Sequence, residues 1–283
     1  MSQTLLAHEP TLRLAAFLGM LGLMALWELA APCRRNDLPR LLRWSNNLAL
    51  VVIDSLVLRI GFPVLATGLA VLAADQGWGL FNWLALPGWL GFMLGFLLLD
   101  LAIYAQHATF HAVPWLWRLH RMHHADQDFD LTTGLRFHPG EIVVSMAVKL
   151  ALVLLLGVPA VVVLLFEVML NATAIFNHAN VRLPGAVDRV LRLIVVTPDM
   201  HRIHHSVNPM ETHSNFGFNL PWWDWLFHTY RAQPLLGHRN MTIGLPIFRT
   251  RRDQWLDRML LQPFISPAAV SPPPAGPAGS DAP

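Results

Sequence analysis

Long apolar runs are the feature that most constrains how this chain folds. They cover residues 12–31, 45–74 and 89–105, followed by a pair, 142–156 and 160–177, that a Gly-Val-Pro turn separates. A helix of about 20 apolar residues crosses the hydrocarbon core of a bilayer. Hydrophobic residues make up 54% of the chain and charged residues 13%, against roughly a quarter charged in soluble domains. The runs therefore predict an all-α integral membrane protein.

The charged loops orient these runs. The first run is followed by a short loop that contains Arg34, Arg35, Arg40 and Arg43, and the positive-inside rule places such a loop in the cytoplasm. The N-terminus lacks a Lys/Arg-rich start and its apolar run is too long for a secretory signal, so we interpret it as a retained transmembrane helix. Starting from an outer N-terminus, four spans bring every histidine motif to the cytoplasmic side.

The chain divides into three regions. Residues 1–106 hold the N-terminal transmembrane helices and an interfacial segment. Residues 107–262 hold the histidine motifs, a helical hairpin in the membrane at 142–177 and a charged segment that is typical of a cytoplasmic cap. Residues 263–283 are rich in Pro, Ala, Gly and Ser and predict a disordered tail. We expect a multi-pass membrane protein whose functional face is cytoplasmic, in the inner membrane if the cell is bacterial.

Three histidine motifs stand out from this apolar background. The first is an HxxxH pair, and the other two are HxxHH triplets: His107 and His111; His120, His123 and His124; His201, His204 and His205. Residues three or four apart share one face of a helix, so each motif directs its imidazoles to one side. Eight histidines at this spacing would be costly to bury without a partner. Because imidazole is a common metal ligand, the motifs predict a metal centre.

The number of histidines indicates how many ions are bound. His138 and His178 would raise the ligand count to ten, whereas a zinc site uses about three or four protein ligands. Ten suits two ions with about five imidazoles each, and neutral ligands of this kind are compatible with redox-active iron. The single cysteine, Cys33, excludes a CxxC knuckle and an intramolecular disulfide. The small net charge of +2 argues against a nucleic-acid partner.

These motifs, in this order, resemble the fatty acid hydroxylase/sterol desaturase superfamily of membrane di-iron oxygenases. The resemblance covers about residues 100–231 and includes DLAIYAQHATFH, LWRLHRMHH, DLTTGLRFHPGE, FNHAN, TPDMHRIHHS and NFGFNLPWWDWLFHTY. It implies a four-helix membrane bundle with a cytoplasmic catalytic cap, two iron ions, O₂ as co-substrate, and hydroxylation or desaturation of a lipid C–H bond. The metal ligands it implies are His107, His111, His120, His123, His124, His138, His178, His201, His204 and His205.

Two further histidines depart from the family pattern or lie beside it. His228 stands in FHTY, where relatives usually have glycine, and His213 lies in a loop that varies among relatives. Neither receives a role from the sequence. Carboxylates also flank the motifs, and each either bonds to a ligand imidazole or lies at an interface: Asp100, Asp126, Asp130, Glu141, Asp199 and Asp224.

The expected partners are a membrane lipid substrate and a separate electron donor of the ferredoxin or cytochrome type. The chain has no GxGxxG segment, haem motif or fused ferredoxin-like segment, so its reductant must be another protein. Six arginines are candidates for its docking face, although they would equally serve as positive-inside anchors: Arg118, Arg121, Arg202, Arg249, Arg251 and Arg252.

Two other classes of function compete with an oxygenase. A membrane metal transporter would place its ligands near mid-membrane in broken helices, whereas these histidines fall at span ends. A zinc hydrolase would be expected to carry an HExxH motif, which this chain lacks. The choice between hydroxylation and desaturation, the lipid, the donor and the oligomeric state stay open at this point.

Overall fold

The computed structural model describes residues 2–266, and this part of the chain consists of helices and loops. It contains no strand, apart from one isolated antiparallel bridge between Ser206 and Ile243. The predicted all-α class is therefore confirmed for residues 2–266. Regular structure extends past residue 263, where the disordered tail was expected to start. Gln262–Phe264 forms a 3-10 helix in which Pro263 is buried. The rest of that prediction, residues 267–283, lies outside the described residues.

The first nine helices of the described chain carry most of its apolar runs. They are α1 (Ser2–Ala7), α2 (Glu9–Ala30), α3 (Arg40–Gly61), α4 (Ala66–Asp75), α5 (Leu80–Trp83), α6 (Gly88–Ala112), α7 (Pro114–His124), α8 (Pro139–Leu156) and α9 (Ala160–Asn177).

The remaining helices are short. They are α10 (Gly185–Leu191), α11 (Pro198–His204), α12 (Pro209–Thr212), α13 (Trp222–Leu226), α14 (Gly237–Asn240) and α15 (Leu256–Leu261), with 3-10 turns at Thr133–Leu135, Arg251–Gln254 and Gln262–Phe264. We call residues 113–138 and 178–266 the cap.

Five helical stretches between residues 2 and 266 are long and apolar enough to cross a membrane. They are Glu9–Ala30, Arg40–Trp83, Gly88–Ala112, Pro139–Leu156 and Ala160–Asn177. The second of them is broken into α3, α4 and α5. Large apolar side chains point outward from these helices; Leu26 is 68% and Ile60 83% exposed, as expected for surfaces that face lipid. The protein is a membrane protein, with five apolar stretches where four spans were expected.

The centre of the helix assembly is α9, which packs against α2, α4 and α6. Its Val162, Val163 and Phe166 are fully buried. The turn that joins α8 to α9 depends on Gly157, whose φ of +68° favours glycine and whose Cβ would lie 2.7 Å from the carbonyl oxygen of Trp78. This turn reverses the chain, so that α8 starts from the cap and α9 returns to it.

Charged side chains also lie inside the apolar helices. Glu167 of α9 accepts hydrogen bonds from Arg13 of α2 and Lys149 of α8, each at 2.6 Å. No sequence motif marks these residues, because each occurs alone in an apolar run. Buried charges are tolerated when they are paired, and this network links three helices.

Arg43 departs from the expected cytoplasmic loop. It lies in the first turn of α3 and is fully buried. Its guanidinium donates to Asp126 at 2.7 and 2.9 Å and also to Asp130. Burial alone would raise the pKa of Asp126, but the charges of Arg43 and Arg136 hold that pKa below its usual range. These ion pairs hold the segment that follows α7 against α3, close to the second histidine motif.

Candidate metal centre

Nine of the ten candidate ligands come together in two adjacent groups. Group A contains five buried histidines and group B four, and within each group one ligand atom per residue lies within 4.8 Å of all the others. Group A is His107, His111, His120, His124 and His204. Group B is His123, His178, His201 and His205.

Local structure directs each ring inward. His107 and His111 occupy the last turns of α6, which ends where Val113 becomes extended ahead of Pro114. Pro114 begins α7, which carries the second motif, and the third lies on α11, with His205 as its C-cap residue. His178 is the C-cap residue of α9. The site thus forms where α6, α7, α9 and α11 meet.

Each HxxHH motif contributes to both groups. On α7, His120 and His124 are four residues apart and belong to group A, while His123 belongs to group B. On α11 the division is reversed, since His201 and His205 belong to group B and His204 to group A. A pair four residues apart therefore faces one ion position, and the remaining ring faces the other.

Four rings are held in one tautomer by oxygen acceptors. The Nδ1–H of His107 donates to the Phe216 carbonyl at 2.8 Å, and that of His204 donates to the Ser214 carbonyl at 2.8 Å. His178 donates in the same way to Ala174, and His120 to the Glu141 carboxylate at 2.7 Å. A proton on Nδ1 leaves the lone pair on Nε2, which is the usual arrangement around metal-binding histidines.

The free lone pairs point at one another. Nε2 of His107 lies 3.1 Å from Nε2 of His120, and Nε2 of His178 lies 3.2 Å from that of His123 and 3.0 Å from that of His201. The rings of His107 and His120 each carry their proton on Nδ1, so the Nε2 atoms of these two rings are both acceptors. Two acceptors this close repel each other unless a cation lies between them, so this geometry fits a bound metal ion.

The remaining ring nitrogens support the same interpretation. Both nitrogens of His111, His124 and His205 are buried and have no hydrogen-bond partner within residues 2–266. Burial lowers the pKa of His124 and His205 well below the ordinary value and that of His178 to about 3. The rings are therefore neutral near pH 7. Unpartnered buried polar atoms are costly, and metal coordination would satisfy one nitrogen of each ring.

His138 is the tenth predicted ligand, and the structure places it outside both groups. It is the N-cap residue of α8, where its Nδ1 accepts a hydrogen bond from the backbone N–H of Gly140 at 3.0 Å. Its Nε2 donates to the Leu260 carbonyl at 3.3 Å. Both ring nitrogens of His138 thus bond to backbone groups. The position of a histidine in an RFHPG segment does not indicate such bonds.

The turn after α7 also packs closely against the site. Gly134 lies in the 3-10 turn Thr133–Leu135, and a Cβ there would lie 2.4 Å from the Ala174 carbonyl oxygen and 3.0 Å from Nδ1 of His178. Those are the two atoms of the hydrogen bond that fixes the His178 ring. A side chain at position 134 would therefore disturb this ring.

Asp100 bonds to a loop and not to a histidine. Its carboxylate is buried and accepts from Asn219 Nδ2 and Trp223 Nε1, both at 2.8 Å, and from the Leu220 backbone N–H. Asp224 accepts at 2.8 Å from the backbone N–H groups of Phe216 and Gly217. These two carboxylates shape the loop that presents the Phe216 and Ser214 carbonyls to His107 and His204.

The other flanking carboxylates bond to arginine side chains. Asp126 and Asp130 bind Arg43, and Asp199 binds Arg202 at 2.5 Å. Arg202 is fully buried and Arg121 is 2% exposed. These two arginines were predicted to lie on a docking face for an electron donor, and that prediction is wrong for them because they are enclosed by the cap.

The amino-acid sequence also resembles those of known proteins. Residues 92–229 match the profile of the family described as fatty acid hydroxylase. Ornithine lipid hydroxylase OlsE of Rhizobium tropici is 33% identical over 50% of this chain and 42% of its own length.

Two alkylglycerol monooxygenases are similar to a comparable extent. That of Homo sapiens is 29% identical over 49% of this chain and 30% of its own length. That of Danio rerio is 31% identical over 55% of this chain and 34% of its own length. The chain thus spans less than half the length of these relatives, and no solved structure matches it.

The matched residues include all eight histidines of the three motifs, together with His178. Every member of groups A and B thus lies inside the matched range. With its nine converging histidines within that range, the region 92–229 of the chain matches the fatty acid hydroxylase family.

Proposed function

We propose that this protein is a membrane-bound di-iron oxygenase that uses O₂ to hydroxylate, or desaturate, a C–H bond of a lipid. The observation that carries the proposal is the pair of buried imidazole groups at the ends of apolar helices. Five histidines in group A and four in group B would hold two metal ions. The names of the relatives, which are lipid hydroxylases and monooxygenases, point to the same reaction class.

The residues present fit such a metal pair. Two iron ions, when bound, would supply the redox chemistry that activates O₂ for attack on an unactivated C–H bond. The protein supplies neutral Nε2 ligands whose tautomers are fixed by Phe216, Glu141, Ala174 and Ser214. The choice of iron follows from the reaction class, since zinc has no redox chemistry.

Burial contributes the second requirement, which is exclusion of water. All nine histidines are at most 7% exposed. Phe216 packs edge-on against His107 and His111 in group A, and Phe129 stacks on His178 in group B. A dry, aromatic surrounding protects reactive oxygen chemistry from side reactions with solvent. The lipid then approaches from the membrane end of α6, where the apolar helix runs directly into His107.

We further propose that groups A and B lie on the cytoplasmic side and that electrons come from a separate ferredoxin- or cytochrome-type donor. The arginines that follow α2 support the orientation. Of the arginines first considered for docking, Arg251 and Arg252 are exposed. Together with Arg118, which is also exposed, and Arg249, which is partly buried, they are the remaining candidates for a basic docking face.

The test is turnover by the purified protein. Iron-reconstituted protein in detergent would receive a chemical or ferredoxin-type reductant, ¹⁸O₂ and a total lipid extract, and products would be identified by mass spectrometry. We expect a lipid that gains one ¹⁸O, or loses two hydrogens. His204→Ala should abolish the product, whereas His8→Ala, at an exposed site in the N-terminal segment, should retain it. Absence of any O₂-dependent product under these conditions would refute the proposal.

A further inference from the structure

An open pocket of about 460 Å³ lies in the cap beside group A. Its walls are the segments 210–214 and 228–233, and its polar side chains include His213, His228, Tyr230, Arg231 and Gln233. We propose that this pocket binds the anionic headgroup, a phosphate or a carboxylate, of the lipid that the metal centre oxidises. The proposal rests on the oxygenase function and names the class of its substrate.

The pocket shares a wall with the metal centre. The ring of His213 meets that of His111 edge-on, with ring centroids 5.5 Å apart. The neighbouring residue, Ser214, lines the pocket and also holds His204 through its carbonyl. A lipid headgroup held here therefore lies next to group A. The hydrocarbon tail attached to that headgroup starts within reach of the ion position of group A.

The charges of the pocket favour an anion. Arg231 contributes a permanently charged guanidinium, and it forms no salt bridge with any residue in the described range 2–266. The imidazoles of His213 and His228 are exposed and available as donors. No lining residue found in the described chain is acidic. The nearby carboxylate of Glu211 is buried and accepts from the Leu235 backbone N–H.

The backbone of the pocket is built rigidly. Asn215 joins the two walls, because its side chain accepts from the Arg231 N–H at 2.8 Å and donates to the Arg231 carbonyl at 3.0 Å. Its own φ is +54°, and that of His228 is +59°. Non-glycine residues in this region cost free energy, and such strain is retained mostly at functional sites. A glycine at position 228 would relieve this backbone strain. The chain has His228 there instead, and its side chain lines the pocket.

The position of the pocket suits a lipid headgroup. Trp225, Leu226 and Phe227, which directly precede His228, are exposed. Phe227 also stacks on Tyr104 of α6, with ring centroids 5.3 Å apart. Exposed aromatic residues next to a spanning helix are typical of the membrane–water interface. The pocket opening at 228–233 therefore lies at headgroup level, and the apolar residues beside it face the acyl region.

Lipid binding to the detergent-purified, metal-loaded protein tests the proposal without relying on turnover. Native mass spectrometry would compare dioleoylphosphatidic acid, oleate and uncharged dioleoylglycerol. We expect the wild type to bind at least one anionic lipid about tenfold more tightly than dioleoylglycerol, since charge-assisted hydrogen bonds exceed neutral ones. The anionic lipid that binds more tightly identifies phosphate or carboxylate as the source.

Two variants and a control locate the binding. Arg231→Gln and His228→Gly should each lose most of this preference, while the exposed Arg239→Gln in α14 should keep it. His228→Gly should also melt at or above the wild-type temperature, because glycine adopts a φ of +59° without steric cost. Its loss of binding could then not be ascribed to misfolding.

The outcomes separate the two proposals. Equal binding of all three lipids by the wild type, or an unchanged preference in Arg231→Gln, would overturn the headgroup pocket even if lipids were oxidised. A preference that Arg231→Gln abolishes, in a protein that oxidises no lipid, would support the pocket and refute the oxygenase function.

Discussion

Replacement of Glu141 by glutamine probes the metal centre without touching a ligand. Glu141 lies in the first turn of α8, is 4% exposed, and accepts the Nδ1–H of His120 at 2.7 Å. Glutamine has nearly the same shape, and its amide oxygen can still accept that proton. The variant therefore keeps the tautomer of His120 but removes the negative charge that makes its Nε2 a stronger donor to metal.

The size of the effect follows from this single contact. Mutation of a residue that hydrogen-bonds to a metal ligand typically weakens metal binding about 10- to 100-fold, which corresponds to about 1.4 to 2.7 kcal/mol. Because His120 is one of five group A ligands, we expect the ion of group A to be lost first. Glu141→Ala should lose more, since the buried Nδ1–H would then have no acceptor.

Competition with a graded series of chelators, followed by elemental analysis of the retained protein, measures this change. Glu211→Gln is the matched control, because Glu211 is also buried in the described structure but accepts from the Leu235 backbone and not from a histidine. The reasoning would be refuted if Glu141→Gln retained metal as the wild type does. It would also be refuted if Glu211→Gln released metal just as readily.

The other predictions concern the ligands, the membrane helices and pH. His204→Ala should lower the amount of bound metal, which elemental analysis measures. His138→Ala should retain the metal but lower the free energy of unfolding by about 1 kcal/mol through loss of the α8 N-cap, which thermal unfolding measures. Glu167→Gln, which strands two cations, should destabilise the protein by about 3 to 5 kcal/mol, seen as a lower melting temperature. Burial lowers the pKa of His178 from 6.5 to about 3, so the metal-free protein should be most stable above pH 6.5 and melt at progressively lower temperature as pH falls below that value; a melting temperature independent of pH would contradict this.

Local spacing predicted the helices and singled out eight of the nine histidines that converge. An HxxxH or HxxHH motif fixes which rings share a helix face, and this depends on residues only four apart. The distribution between the two groups could not be obtained in this way. His123 belongs to group B and His120 to group A because of the way α6, α7, α9 and α11 meet, and that packing is a property of the whole fold.

The contacts that sequence reasoning missed join residues far apart in the chain. Asp100 was left open between a bond to a ligand imidazole and an interfacial position, but it bonds to Asn219 and Trp223 across more than a hundred positions. Arg43 was assigned to a loop, although it is buried between Asp126 and Asp130. A single charged residue carries no periodic pattern, so its partner emerges only when tertiary packing is known. The NFGFNLPWWDW segment held a usable signal, since two polar side chains and one acid in an aromatic loop require buried partners.

The metal content of the purified protein tests the central claim most directly. Elemental mass spectrometry of detergent-purified protein would give the stoichiometry, and Mössbauer spectroscopy of iron-57-grown material would give the state of the iron. The account predicts about two irons per chain in a magnetically coupled pair, because groups A and B each offer one ion position. A single zinc per chain, or iron that does not couple, would contradict it.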